Sequence, residues 1–165
     1  MLHAVHSQSI PSAKSSKKLS QEGFGSSRLA AVNSLNDREI IMTTLDELQV
    51  KYPGANAWQM GDSPELANEL ADLIKKGIKT ASCGSFSSYQ QEENAPRIGS
   101  YNIVLDGQNA PVCVIRLISM RLVRFCDVTD EFARKEGEGD LSLEYWRKEH
   151  QRFFAREGTS LKRWS

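Results

Sequence analysis

Ser63-Pro64-Glu65-Leu66-Ala67-Asn68-Glu69-Leu70-Ala71-Asp72-Leu73-Ile74-Lys75-Lys76-Gly77-Ile78-Lys79-Thr80-Ala81-Ser82 reads as a helix that turns directly into a strand. Ser63 offers an N-cap oxygen. Pro64 suits the first helical position, where its missing N–H is no loss, and Glu65 complements the positive end of the helix dipole. Leu66, Leu70, Leu73 and Ile74, with Ala67 and Ala71 beside them, recur at three- and four-residue spacings, so an amphipathic helix is predicted to about Lys76. Gly77 stands where a left-handed C-terminal cap falls. Thr80 to Phe86 then reads as a short strand.

Working outward, a polar loop containing Tyr89, Gln90, Gln91, Glu92, Glu93 and Asn94 leads to Pro96 and Gly99. Tyr101 to Leu105 is an apolar strand, Asp106-Gly107-Gln108-Asn109 a turn, and Val112 to Phe125 a long or bent strand, which together make a hairpin in a small curved sheet. From Val128 the pattern is helical and acidic. From Leu143 it is helical again, with Leu143, Trp146, His150, Phe153 and Phe154 on one stripe and Gly158 at its end. In the other direction, residues 1–41 combine many serines with Lys14, Lys17, Lys18 and Arg28, and read as a disordered tail that includes His3 and His6. An organelle transit peptide would share that composition but would need an amphipathic helix, and Met42 would equally suit a later start. The domain is therefore drawn over 42–165.

A chain of 165 residues with 39% apolar content supports one hydrophobic core. Its 21 basic and 21 acidic side chains balance, so any contact with a polyanion has to be local. Arg116, Arg121, Arg124, Arg147 and Lys148 are candidates for a local phosphate-binding patch. Cys83, Cys113 and Cys126 are odd in number and widely spaced, without the spacing of a zinc site or a disulfide framework. A reducing cytoplasm suits them, and neither a metal nor a cofactor is expected. No apolar run approaches the length of a bilayer span.

Three segments carry a family resemblance: Trp58 with Gly61-Asp62-Ser63-Pro64-Glu65-Leu66, then Gly77-Ile78-Lys79-Thr80-Ala81-Ser82, then Glu131-Phe132-Ala133-Arg134-Lys135-Glu136-Gly137-Glu138-Gly139-Asp140 running into Ser142-Leu143-Glu144-Tyr145-Trp146. In order and spacing they resemble the ASCH family, whose fold is related to the PUA domain of RNA-modifying enzymes. The resemblance implies an α+β fold, a small PUA-like β-barrel flanked by helices. Two departures stand out. Gly99-Ser100 replaces the family's usual Gly-Asp. The chain also stops at Leu161-Lys162-Arg163-Trp164-Ser165, where family members continue into a further strand, which would leave the barrel open.

By position alone Lys79 reads as a solvated lysine beside a helix C-terminus. The resemblance implies more, because Gly-x-Lys-Thr is the family's signature and its small hydrolase members use this lysine. On that reading Lys79 is a general base, Ser82 the nucleophile it activates and Glu136 its carboxylate partner, all facing one cleft. Glu138 is the next choice of acid. Thr80, Tyr89 and Glu92 are the expected substrate contacts, Tyr89 as a stacking surface. His150 reads as a packed histidine. The implied function is a metal-independent hydrolase acting on RNA or a modified nucleoside, resembling a ribonuclease or an N4-acetylcytidine amidohydrolase. The alternative is a non-catalytic RNA-binding module.

Overall fold

The structure, a computed structural model, describes residues 1–10 and 44–158. In chain order the elements are β1 (Leu2–Ile10), α1 (44–51), β2 (Asn56–Gln59), α2 (Pro64–Lys75), β3 (Ala81–Ser85), α3 (Phe86–Gln91), β4 (Tyr101–Leu105), β5 (Pro111–Val123), α4 (Asp130–Glu136) and α5 (Leu143–Arg156). A 3-10 turn at Phe125–Asp127 joins β5 to α4.

The 63–82 segment folds as read. Ser63 Oγ accepts the Leu66 N–H at 3.2 Å, Pro64 opens α2, and Gly77 takes the left-handed conformation at φ 73°. Leu70, Ala71 and Ile74 are buried against Met60, Val104, Cys113 and Ile115. The turn after β4 docks on the start of this helix: the Gly107 N–H donates to Asn68 Oδ1 at 2.9 Å, and a Cβ at Gly107 would lie 2.2 Å from the Pro64 carbonyl oxygen. Only glycine fits there.

Five strands form a curled sheet, half a barrel, in the order β2-β4-β5-β1-β3. The β2 and β4 pair is parallel and the others are antiparallel. The expected hairpin is β4 and β5, and the expected bend in the long strand is a bulge. His6 pairs with Ser119 but Ser7 with Leu117, so Ile118 is the extra residue that curves β5.

The reading of residues 1–41 as one disordered tail is corrected at its start. Leu2–Ile10 is a strand inserted between β5 and β3, and it carries His3 and His6 into the sheet. Leu2 and Ala4 are fully buried on one face, beside Ala81, Phe132 and Trp146. Their alternation spans too few residues to stand out from the serine-rich composition that follows, and the partners that stabilise it lie far along the chain. Residues 11–41 of the expected tail lie outside the described residues.

Helices cover the sheet on both sides. Val104 packs under α2, whereas its neighbours Ile103 and Leu105 pack with Leu48 of α1 and Val114, as strand alternation requires. At the other end α4 and α5 bring Phe132, Ala133, Trp146 and Phe154 onto Leu2, Ala4 and Ala81. No helix among the described residues is long and apolar enough to cross a membrane.

Candidate functional site: a buried lysine between two glutamates

The chain leaves α2 so tightly that the Ile78 and Lys79 N–H groups both donate to the Leu73 carbonyl, at 2.9 and 3.1 Å. The next N–H, from Thr80, donates to the Lys135 carbonyl at 2.8 Å and ties the entry of β3 to the end of α4. That crossing needs glycine at α4's end: Gly137 has φ 75°, and a Cβ there would lie 2.9 Å from Ile78 Cγ2. Backbone contacts therefore hold Lys79 against the acidic end of α4.

The Lys79 side chain is 4% exposed, and its Nζ donates to Glu136 Oε2 at 2.9 Å and to Glu138 Oε1 at 2.7 Å. Glu136 is 2% exposed, and its other oxygen, Oε1, accepts the Trp146 indole N–H at 3.1 Å. His150 stacks on Trp146 with ring centroids 4.1 Å apart, and its Nε2 lies 3.6 Å from Glu136 Oε1. His150 Nδ1 is 3.0 Å from the Trp146 carbonyl oxygen, which can only accept, so Nδ1 carries a proton. Cys83 completes the cluster: ligand atoms of Cys83, Glu136 and His150 all lie within 4.8 Å of one another.

Burial alone would strip the proton from Lys79, but the Glu136 and Glu138 carboxylates outweigh it and push the ammonium above its ordinary range. Burial likewise favours a protonated Glu136, yet Lys79, then His150, hold the carboxyl well below the usual carboxylate range. The Cys83 thiol is pushed up by burial and then by the Glu136 charge beside it. The site thus contains a firmly cationic lysine, an ionised glutamate and a protonated thiol.

The ASCH domain family model matches residues 56–163. The chain belongs to the ASCH domain family. The crystal structure of an ASCH domain from Lactobacillus crispatus JV V101 is 31% identical, covers 79% of this chain and 82% of its own, and superposes with a TM-score of 0.60. A protein from Enterococcus faecalis V583 is 36% identical over 74% of this chain and 76% of its own, with a TM-score of 0.59. A search of curated proteins finds no match.

Within this ASCH domain, Lys79 and Glu136 meet as expected despite a separation of 57 positions along the chain. Ser82 does not join them. Its hydroxyl is 4.0 Å from Met60 Sδ, and it pairs with Val5 where Cys83 pairs with Ala4. Successive strand residues face opposite sides, so the side chain that β3 sends toward Glu136 is Cys83. The two carboxylates beside Lys79 raise its proton affinity, which works against the expected role of a general base.

Thr80 Oγ1 is 3.5 Å from the Lys135 carbonyl oxygen, a local contact. Tyr89 sits on α3, where a loop was expected, with its hydroxyl donating to the Pro96 carbonyl at 3.2 Å and its ring 4.9 Å from that of His3. Glu92 is exposed at the C-terminal cap of α3. Cys83, and His150 as a neighbour of Glu136, were missed. The helical stripe placed His150 beside Trp146, but nothing local showed that this face ends on a carboxylate.

Proposed function

We propose that this ASCH domain is an RNA-associated module that holds RNA or a modified nucleoside without turning it over. One observation carries the reading: Lys79 is enclosed between Glu136 and Glu138, which favour its protonated form, while the Ser82 hydroxyl lies on the Met60 side of β3. A nucleophile without a base within reach stays a weak nucleophile. Phosphate would be met elsewhere, at a surface depression of about 210 Å3 lined by exposed Arg121, His6, Ser119 and Thr129, where Lys135 is paired with Glu131 at 2.6 Å and Arg121 adds a further positive charge. In a chain with no net charge, Arg121 gives this depression the local attraction that a phosphate contact needs.

The test is a titration with short single-stranded RNA at several salt concentrations. Arg121→Ala should weaken binding and lower the salt slope by about 0.7, the value for one phosphate contact on a single strand. RNA and N4-acetylcytidine should both be recovered unchanged. A second reading, the hydrolase, is favoured by the Lys79 and Glu136 contact: a substrate that displaced the partly exposed Glu138 would reach Lys79. Turnover of either substrate that disappears in both Lys79→Arg and Ser82→Ala would replace the binding reading with that one.

A further inference from the structure

We propose that Cys83, Glu136 and His150 form a binding site for a divalent metal ion of zinc type. The three residues come from β3, the end of α4 and the middle of α5 and supply one sulfur, one oxygen and one nitrogen donor, the set that such ions prefer. Their spacing suits this. Tetrahedral zinc bonds of about 2.0–2.3 Å place ligand atoms roughly 3.3–3.7 Å apart. Glu136 Oε1 and His150 Nε2 are already 3.6 Å apart, and the widest pair, within 4.8 Å, has to close by about 1 Å.

The orientation of His150 is a second, separate observation. With a ring proton on Nδ1 given to the Trp146 carbonyl, Nε2 is the nitrogen that faces the Glu136 carboxylate, 3.6 Å away. In the neutral ring Nε2 and Glu136 Oε1 are both acceptors, and a cation between them satisfies both, a proton in the metal-free protein and the metal ion when it binds. Metal-binding histidines are held in the same way, by the other ring nitrogen donating to a carbonyl. Glu136 is also steadied from outside, by the Trp146 N–H on Oε1 and by Lys79 on Oε2.

The charges balance when the ion binds. The dication and Lys79 offset the Cys83 thiolate, Glu136 and Glu138, with His150 neutral. Binding replaces the S–H bond of Cys83 with a sulfur–metal bond and releases one proton to solvent, since a coordinating thiol is deprotonated. Three protein ligands leave a fourth position for solvent, and the His150 side chain keeps 12% of its surface exposed. The site does not depend on the binding reading above.

The experiment titrates the metal-free chain with Co2+ and then displaces it with Zn2+. One equivalent should bind, with a thiolate-to-cobalt charge-transfer band, tetrahedral visible absorption and one proton released per ion. Cys83→Ala should abolish the charge-transfer band. His150→Phe, which keeps a ring on Trp146, should weaken affinity by more than about a hundredfold, beyond the tenfold to hundredfold effect of an outer partner. Cys126→Ser, on the exposed cysteine, should change nothing. A folded chain that gives no charge-transfer band, or a band that survives Cys83→Ala, overturns the site. So does loss of the band in Cys126→Ser.

Discussion

Lys79 is held as a buried ion by its surroundings. Its ammonium is buried, and both of its partners carry the opposite charge. Removing it would strand an ionised Glu136, so Lys79→Met should destabilise the fold by about 3–5 kcal/mol, as loss of one member of a buried pair does. Urea denaturation checks this, and a change below about 1 kcal/mol would show that the pair is worth no more than a surface contact. The contact was legible only through the family signature, because spacing alone cannot bring two residues together across most of a domain. Ser82 was misplaced for a simpler reason. Its neighbour Cys83 is the β3 residue that faces Glu136, and a strand reverses sides at every residue.

Among the elements, α2 was readable throughout because cap, first-turn proline, stripe and terminal glycine all agree. Leu70 is 6% exposed beneath the sheet, so Leu70→Ala should cost about 2–5 kcal/mol in a thermal or chemical unfolding measurement. β1 was not readable, and its histidines give it a pH dependence. Burial lowers the proton affinity of His3, whose Nδ1 has no hydrogen-bond partner among the described residues. Burial, then Lys135 and Arg121, lowers that of His6. Above about pH 6.5 both are neutral whether folded or unfolded, so they make no difference. Below it the unfolded chain takes up protons that the folded chain resists, and stability falls with pH. Melting temperatures from pH 7.5 down to 5 should therefore decline, and His3→Phe, which keeps a ring against Tyr89, should flatten the decline. An unchanged slope in that variant would remove His3 from the account.

At the scale of the molecule, the half-barrel depends on the order β5-β1-β3, in which β3 joins the sheet through β1. Ala4, fully buried, lies at the centre of that junction, opposite Cys83 on one side and Arg121 on the other. Ala4→Asp would place an unpaired carboxylate there and should cost at least about 3 kcal/mol, enough to take a large part of a domain's stability. Circular dichroism melting would report it. The fold class followed from motifs within residues 58–146, whereas the strand that links the two halves of the sheet lay outside every motif.

On the ribosome β1 is made long before either of its neighbours. β3 begins at Ala81 and β5 ends at Val123, so at roughly 5–20 residues per second the strand waits on the order of ten seconds for the second of its partners. Until β3 is made Leu2 and Ala4 have nothing to pack against, and a newly made β3 has no strand but β1 to join. The nascent chain is most exposed to aggregation, and most open to a chaperone, until its longest strand has emerged.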